Sequence, residues 1–328
     1  MADLRVEVAG LELVNPVIAV SGESTRTAAQ IRACLDAGAA AVVAKSTNES
    51  EAAKAQLRSA EYVVLDEHFA ARPLGPAGRF DSLFCRSGLV DEPFERWVTT
   101  LAELDAGAGD AYVVPSLIVS DPGAAVEMAR AFEQAGLRWL ELNVGAPHAE
   151  EAAAGAIRTG AELVRPVRHA VSIPLTVKIG GADPVAQAVA AIDAGADAVV
   201  LSARAQGFVS DLQTRRPVLG TFAAIGGAWA VPVTCRHLAK ARRARPDACL
   251  VGTNGARDGR DVAQMLLAGA SAVQLTSVVM TDGAAALGRA IDELDTYLDE
   301  QGVSARELVG ESADLVRTYE EVAVERRR

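Results

Sequence analysis

DAGAAAVVAKS at residues 36–46, QAGLRWLELNV at 134–144, DAGADAVVLSA at 193–203 and LAGASAVQLTS at 267–277 are four versions of one phrase. In each, an amphipathic run ends in Ala-Gly and the chain turns at once into a short apolar strand with a polar residue at its end. Gly38, Gly136, Gly195 and Gly269 stand where a helix C-terminus needs a left-handed residue, so the repetition has a backbone cause. The phrases precede the second, fourth, sixth and eighth of eight strands predicted near 16–21, 40–46, 111–119, 139–145, 174–180, 197–203, 248–253 and 272–278. Amphipathic helical stretches fill the intervals. Eight alternating units with a twofold internal rhythm predict an α/β chain folded as a (β/α)8 TIM barrel rather than an open sheet.

Outward from that frame, LRVEVAGLELVNP at 4–16 alternates around a glycine and predicts a hairpin closing the barrel bottom. The interval from Thr47 to Asp110 is far longer than a barrel loop and predicts an insertion over the C-terminal rim. The end of the chain, about 310–328, reads as a charged helical tail. One domain over 1–328 accommodates all of this, since such barrels take roughly 250 residues and tolerate insertions.

Lys and Arg number 32 against 43 Asp and Glu, a net charge of −11 that opposes a polyanionic partner. Nucleic acid is therefore not expected. Cys34, Cys85, Cys235 and Cys249 are scattered with no CxxC pair, so neither a metal nor an iron–sulfur cluster is expected. No run of about 18 apolar residues and no signal-like N-terminus occurs, which predicts a cytoplasmic protein that does not enter a membrane.

Active sites of barrels lie at the C-terminal strand ends. Here those ends supply Ser21-Gly22, Lys45-Ser46, Ser116, Asn143, Lys178, Ser202, the turn Gly252-Thr253-Asn254-Gly255, and Thr276-Ser277. Two lysines after apolar runs are costly if buried without an electron-rich partner, and a bound anion or flavin offsets that cost. Each alone could instead reach water at the rim. The glycine-containing turn after the seventh strand, with the two hydroxyls after the eighth, suits a phosphate; a sharp reversal alone also needs glycine.

NPVIAVSG, AVVAKST, LELNVGAPH, PLTVKIGG, IGGAWAVP and CLVGTNGARDGRDVAQMLLAGASAVQLTSVV occur in an order and spacing that resemble the dihydroorotate and dihydropyrimidine dehydrogenases. The resemblance covers nearly the whole barrel. It implies an FMN cofactor in contact with Ser21, Gly22, Lys45, Ser46, Asn143 and Lys178, with Gly226 and Gly227 near its chain. The phosphate would lie on Gly252, Thr253, Asn254 and Gly255 and on Thr276 and Ser277. Asn254 stands where the family usually has glycine, and asparagine also tolerates the left-handed region. The resemblance to the branch without a membrane helix implies a homodimer.

The departures bear on chemistry. The family segment after the fourth strand reads roughly Leu-Asn-Leu-Ser-Cys-Pro-Asn, and its Cys, or Ser in the membrane branch, takes a proton while hydride passes to the flavin. Here the segment is LNVGAPH, and Ala146 at that position cannot transfer a proton. Three asparagines that hold the pyrimidine are replaced by Cys85, His148 and Ser202, leaving Asn143; the dihydropyrimidine dehydrogenases also carry histidine at the position of His148. Unpaired buried donors and acceptors each cost roughly 1–3 kcal/mol, so a changed ligand follows.

The resemblance and its departures together imply an FMN-dependent oxidoreductase. It would move hydride between flavin and a small, polar, cyclic substrate other than dihydroorotate, with an unnamed electron donor or acceptor. Lys45 and Asn143 would stand at the reacting centre, and His148 or Cys85 would replace the missing base. His148 could equally cap its loop, and Cys85 could be an inert small side chain. Two other readings stay open: a catalytically silent FMN- or partner-binding relative, and a lyase that uses Lys45 or Lys178 as a Schiff-base amine.

Overall fold

The computed structural model describes residues 2–49, 60–119, 121–144, 160–317, 319 and 321–322. At its centre is a ring of parallel strands: Val17–Ala19, Ala41–Val43, Tyr112–Val114 with its continuation Ser116–Leu117, Leu140–Asn143, Leu175–Lys178, Ala198–Leu201, Cys249–Thr253 and Ala272–Leu275. The register closes the ring. Val273 of the eighth strand lies beside Val17 of the first, and the third strand joins the second (Val43 beside Val114) to the fourth (Leu142 beside Leu117). The third strand breaks at Pro115, which has no N–H for the ladder; its carbonyl still accepts from the Glu141 backbone N–H at 2.9 Å. All eight expected strands are present, and the fold is a (β/α)8 barrel.

Strands buried on both faces read as continuous apolar runs, which is why AVVA and AVVL carry no alternation. Helices Ala28–Asp36, Phe94–Ala106, Pro122–Gln134, Gly160–Ala170, Pro184–Asp193, Val231–Ala244, Gly259–Leu267 and Ala285–Gln301 follow the eight strands in turn. Asp121 and Asp183 each accept a capping bond just before a proline at the first helical position. The four Ala-Gly turns have φ of 91°, 89°, 103° and 108° at Gly38, Gly136, Gly195 and Gly269. At Gly195 and Gly269 a β-carbon would also stand 2.8 Å from an arginine stem, Arg168 and Arg242 respectively. The N-terminal hairpin, Val6–Val8 with Leu11–Leu13, turns through Ala9 and Gly10 and sits against the seventh and eighth strands.

The roof of the barrel differs in part from expectation. The sequence assigns 47–110 to an insertion, but Phe94–Ala106 is the barrel's own second helix, burying Trp97, Leu101 and Leu104 in the core. The true insertion contributes strands Glu61–Leu65, Ala71–Pro73 and Ser82–Arg86. They continue into a second excursion that the sequence does not announce, between the sixth strand and its helix, through Ala205–Gly207 and Ala223–Gly227. One antiparallel five-stranded sheet thus joins two excursions from opposite sides of the ring. Of the charged tail, residues 310–317, 319 and 321–322 are described, and Asp314 pairs with Arg242 at 2.8 Å.

Candidate functional site

Four of the eight strands send polar side chains into the barrel beneath its mouth, and with Ser21 and Ser46 just past the ends of the first and second strands they touch in sequence. Ser21 Oγ lies 3.0 Å from Ser46 Oγ, which lies 2.9 Å from Ser116 Oγ. Ser116 donates to Glu141 Oε1 at 3.1 Å, and Gln274 Nε2 donates to Glu141 Oε2 at 2.8 Å. Lys178 Nζ donates to Gln274 Oε1 at 2.9 Å. Glu141 is fully buried, and both of its oxygens are bonded, as burial of a polar group demands. Burial pulls the Lys178 amine down to about 8 against the attraction of Glu141, and the Arg204 and Lys45 charges add to the fall.

Above this belt, Lys45 is buried at the end of the second strand, with Nζ 2.9 Å from Glu23 Oε1. Tyr62, from the insertion, donates to the same oxygen at 2.7 Å, and the Gly88 backbone N–H does so at 3.3 Å. Burial lowers Lys45 while Glu23 opposes the fall. Burial raises Glu23, but Lys45 and the tyrosine hydroxyl outweigh it and leave the carboxyl below its ordinary value. The lysine expected near the reacting centre is therefore a compensated charge. The alternative in which either lysine reaches water at the rim fails, since both are buried.

Over the mouth, Arg204 donates from one terminal nitrogen to Cys85 Sγ at 2.5 Å and from the other to Ser87 Oγ at 2.9 Å. Cys85 is fully buried in the antiparallel sheet, beside Tyr62 on one side and Ala224 on the other. Asn143 ends the fourth strand in register with Lys178. Ala146 and His148 lie outside the described residues.

The seventh-strand end turns through Gly252, Thr253, Asn254 and Gly255. Asn254 adopts φ 69°, as its left-handed tolerance predicts, and its backbone carbonyl accepts from Thr234. Its side-chain Oδ1 is buried without a hydrogen-bond partner among the described residues. A β-carbon on Gly226 would stand 2.6 Å from that oxygen, and one on Gly227 would stand 2.9 Å from Ser82 Oγ. The Gly-Gly pair is thus dictated by close approach. Thr276 leads into the short helix Ser277–Asp282 without a side-chain cap. Gly22 opens a single 3-10 turn that carries Glu23 to Lys45.

Ser202 takes a different direction. It is buried with φ 70°, and its hydroxyl lies 2.7 Å from His237 Nδ1 on the helix Val231–Ala244. His237 shares the inward stripe of that helix with Thr234, Leu238 and Ala241. Burial, then Arg236 and Lys240, lower its pKa below the usual value.

Sequence reasoning missed Glu23, Tyr62, Glu141, Arg204, His237 and Gln274. Glu141 and Gln274 had a readable signal, a polar residue flanked by apolar ones inside a strand buried on both faces. Tyr62 and Arg204 had none, because their positions depend on how two excursions pair. Among the described residues no His, Cys, Asp and Glu cluster could hold a metal ion, and no helix is long and apolar enough to cross a membrane.

Residues 121–298 match the family model described as dihydroorotate dehydrogenase. The chain is 32% identical over 322 residues to the dihydroorotate dehydrogenase B (NAD(+)) catalytic subunit of Desulforudis audaxviator, covering 93% of this chain and 96% of that protein. It is 25% identical over 318 residues to the protein of the same name from Thermoplasma acidophilum, covering 94% and 99%. A putative dihydroorotate dehydrogenase A (fumarate) of Solibacter usitatus is 33% identical over 198 residues, covering 56% and 63%.

Proposed function

The chain belongs to the dihydroorotate dehydrogenase family, and from that premise we propose that it is an FMN-dependent oxidoreductase acting on a C–H bond of a small, polar, cyclic substrate other than dihydroorotate. The observation that carries the reading is the pair of buried ammonium groups, Lys45 and Lys178, at one barrel mouth. Glu23 accepts from Lys45 and Gln274 accepts from Lys178, one donor from each ammonium, which suits them to an acceptor-rich ring as well.

Three features suit FMN. Asn254 Oδ1 is a buried acceptor awaiting a donor, which a ribityl hydroxyl provides. The turn Gly252 to Gly255 and the uncapped start at Thr276 and Ser277 bring backbone N–H groups for a phosphate. Ser21, Gly22 and Ser46 stand at the neighbouring first and second strand ends, with Gly22 beside Thr276, and Gly226 and Gly227 keep the sheet close. Bound FMN supplies the hydride acceptor or donor. Lys178, Asn143 and Lys45 orient the reactants, and Glu23 opposes the fall that burial imposes on the Lys45 amine.

The change of substrate rests on what replaces the pyrimidine-holding amides. Cys85 offers a sulfur already facing Arg204, and Ser202 turns its hydroxyl to His237. Neither reproduces the paired donor and acceptor of asparagine. Ala146 moves no proton, which leaves His148, Cys85 or solvent for that step. We place the protein in the cytoplasm as a single-domain homodimer with a separate electron donor or acceptor.

The test is the absorbance of purified protein, followed by anaerobic mixing with dihydroorotate. Bands near ~370 and ~450 nm are expected, unbleached by dihydroorotate. Rapid bleaching would overturn the changed substrate; a colourless protein that cannot be reconstituted would overturn the cofactor. In that case the Lys178 amine, lowered to about 8, favours the Schiff-base reading, which borohydride trapping with a carbonyl compound examines.

A further inference from the structure

Three cations converge on the mouth, and they are not equivalent. Lys45 meets the Glu23 carboxylate at 2.9 Å, and Lys178 reaches Glu141 through one intervening amide, Gln274. Arg204 bonds only to a thiol sulfur and a hydroxyl, and no carboxylate lies within ion-pair distance of it among the described residues. A guanidinium carries five N–H donors, and these two bonds use two of them. Its charge is nonetheless felt in the site: it lowers the amines of both Lys45 and Lys178. The side chain is also held rather than loose. Cys85 and Ser87, 3.6 Å apart, fix its terminal nitrogens, and Gly226 leaves room for its stem, since a β-carbon there would stand 3.1 Å from Arg204 Cγ.

We infer that Arg204 is the specificity-determining residue of this site, receiving a carboxylate of the substrate on its unused N–H groups from the roof side. The inference deepens the proposed function and rests on it. A planar, pre-oriented guanidinium matches a two-oxygen anion in a way that an ammonium does not. The buried belt already holds the Glu141 carboxyl, bonded to Gln274 and acting on Lys178 through that amide. Among the described residues the roof holds a guanidinium with neutral partners, a charge that a substrate anion neutralises. The residue also belongs to the excursion after the sixth strand, so it arrives from the side opposite the Glu61–Leu65 hairpin and defines where the acidic group of the ligand points.

The experiment titrates the flavin-loaded protein with two matched pairs, fumarate against fumaramide and orotate against uracil, following the visible spectrum and, independently, heat of binding. At least one acid is expected to bind tenfold or more tightly than its neutral partner. Arg204→Gln should abolish that preference, leaving the neutral compounds unchanged, and Arg204→Lys should restore only part of it. Equal binding of acid and neutral partner, no binding of either acid, or a preference that survives Arg204→Gln would each overturn the inference. Flavin content, read from the same spectra, separates this from failure of the cofactor assignment. Arg204 is partly buried, and unchanged thermal midpoints and flavin content in both variants confirm that folding is intact.

Discussion

The polar belt inside the barrel and the polar roof above it solve the same problem in opposite ways. Both bury charge next to a site. The belt does it with residues on regular strands, in an unbroken chain from Lys178 through Gln274 and Glu141 to Ser116 and Ser46, in which each carboxylate oxygen has a donor. The roof does it where two excursions meet the strand ends, pairing Glu23 with Lys45 and with Tyr62 of one excursion but leaving Arg204 of the other with neutral partners among the described residues. A saturated network rigidifies, whereas an unsaturated one still has donors to offer a ligand. The belt is therefore the foundation on which a cofactor rests, and the roof is where ligand choice is made.

That division breaks most readily at Glu141. Glu141→Ala removes the acceptor of both Gln274 and Ser116 and leaves Lys178 buried without a counter-charge. A loss of about 3–5 kcal/mol is expected in urea unfolding. Glu141→Gln, which keeps the shape and one acceptor, should cost less than the alanine change. If Glu141→Ala costs no more than a roof substitution, the belt is not the foundation.

The matching change in the roof is smaller. Glu23→Gln keeps an acceptor for Tyr62 and the Gly88 N–H but withdraws the charge facing Lys45. About 1–3 kcal/mol is expected by the same measurement, because Glu23 stands at the mouth, where water can take part. A cost equal to that of Glu141→Ala would erase the distinction between belt and roof.

The Lys178 amine sharpens the comparison through pH. Its folded value of about 8 lies below the unfolded 10.5, so the unfolded chain binds more protons between these values and stability rises with pH. Its contribution is complete above 10.5 and is lost as pH falls through about 8, where the folded protein must carry a buried ammonium. Unfolding of the flavin-free protein across pH 7–9 should show wild type gaining stability relative to Lys178→Met. No gain would mean that Glu141 neutralises the amine fully.

These contrasts follow what the sequence makes legible. The barrel is readable because Ala-Gly turns and doubly buried strands impose local patterns, and the eight strands appear where the repeats place them. Lys45, Lys178, Asn254 and the Gly226-Gly227 pair are readable because strand ends and close approaches demand particular residue types. The roof is not. Arg204 reaches Cys85 across 119 positions of chain, and nothing local in either segment records that two excursions share a sheet. The insertion ends earlier than expected because Phe94–Ala106 is an ordinary barrel helix; its closing Ala106-Gly107 step runs on through Ala108, Gly109, Asp110 and Ala111 instead of turning at once into the third strand, which hides it from the repeated phrase.

The smallest effect concerns Ser202 and His237, which stand apart from both belt and roof. His237 has a folded pKa below 6.5, from burial first and then Arg236 and Lys240, with Asp183 opposing. The neutral ring is thus favoured by folding. Its stability contribution is complete above 6.5 and is lost as pH falls through the lower folded value. The ring is only partly buried, so screening holds the effect below about 1 kcal/mol. His237→Gln, which can still bond the Ser202 hydroxyl, should lose less stability than wild type between pH 7 and pH 5. Because this pair faces a helix and the lysines face the mouth, flavin content and visible spectrum should stay the same in both proteins over that range. A spectral change that follows pH in wild type and vanishes in His237→Gln would place the sixth-strand end back inside the ligand site. It would also make the excursion between Ser202 and the helix a carrier of protonation as well as of Arg204.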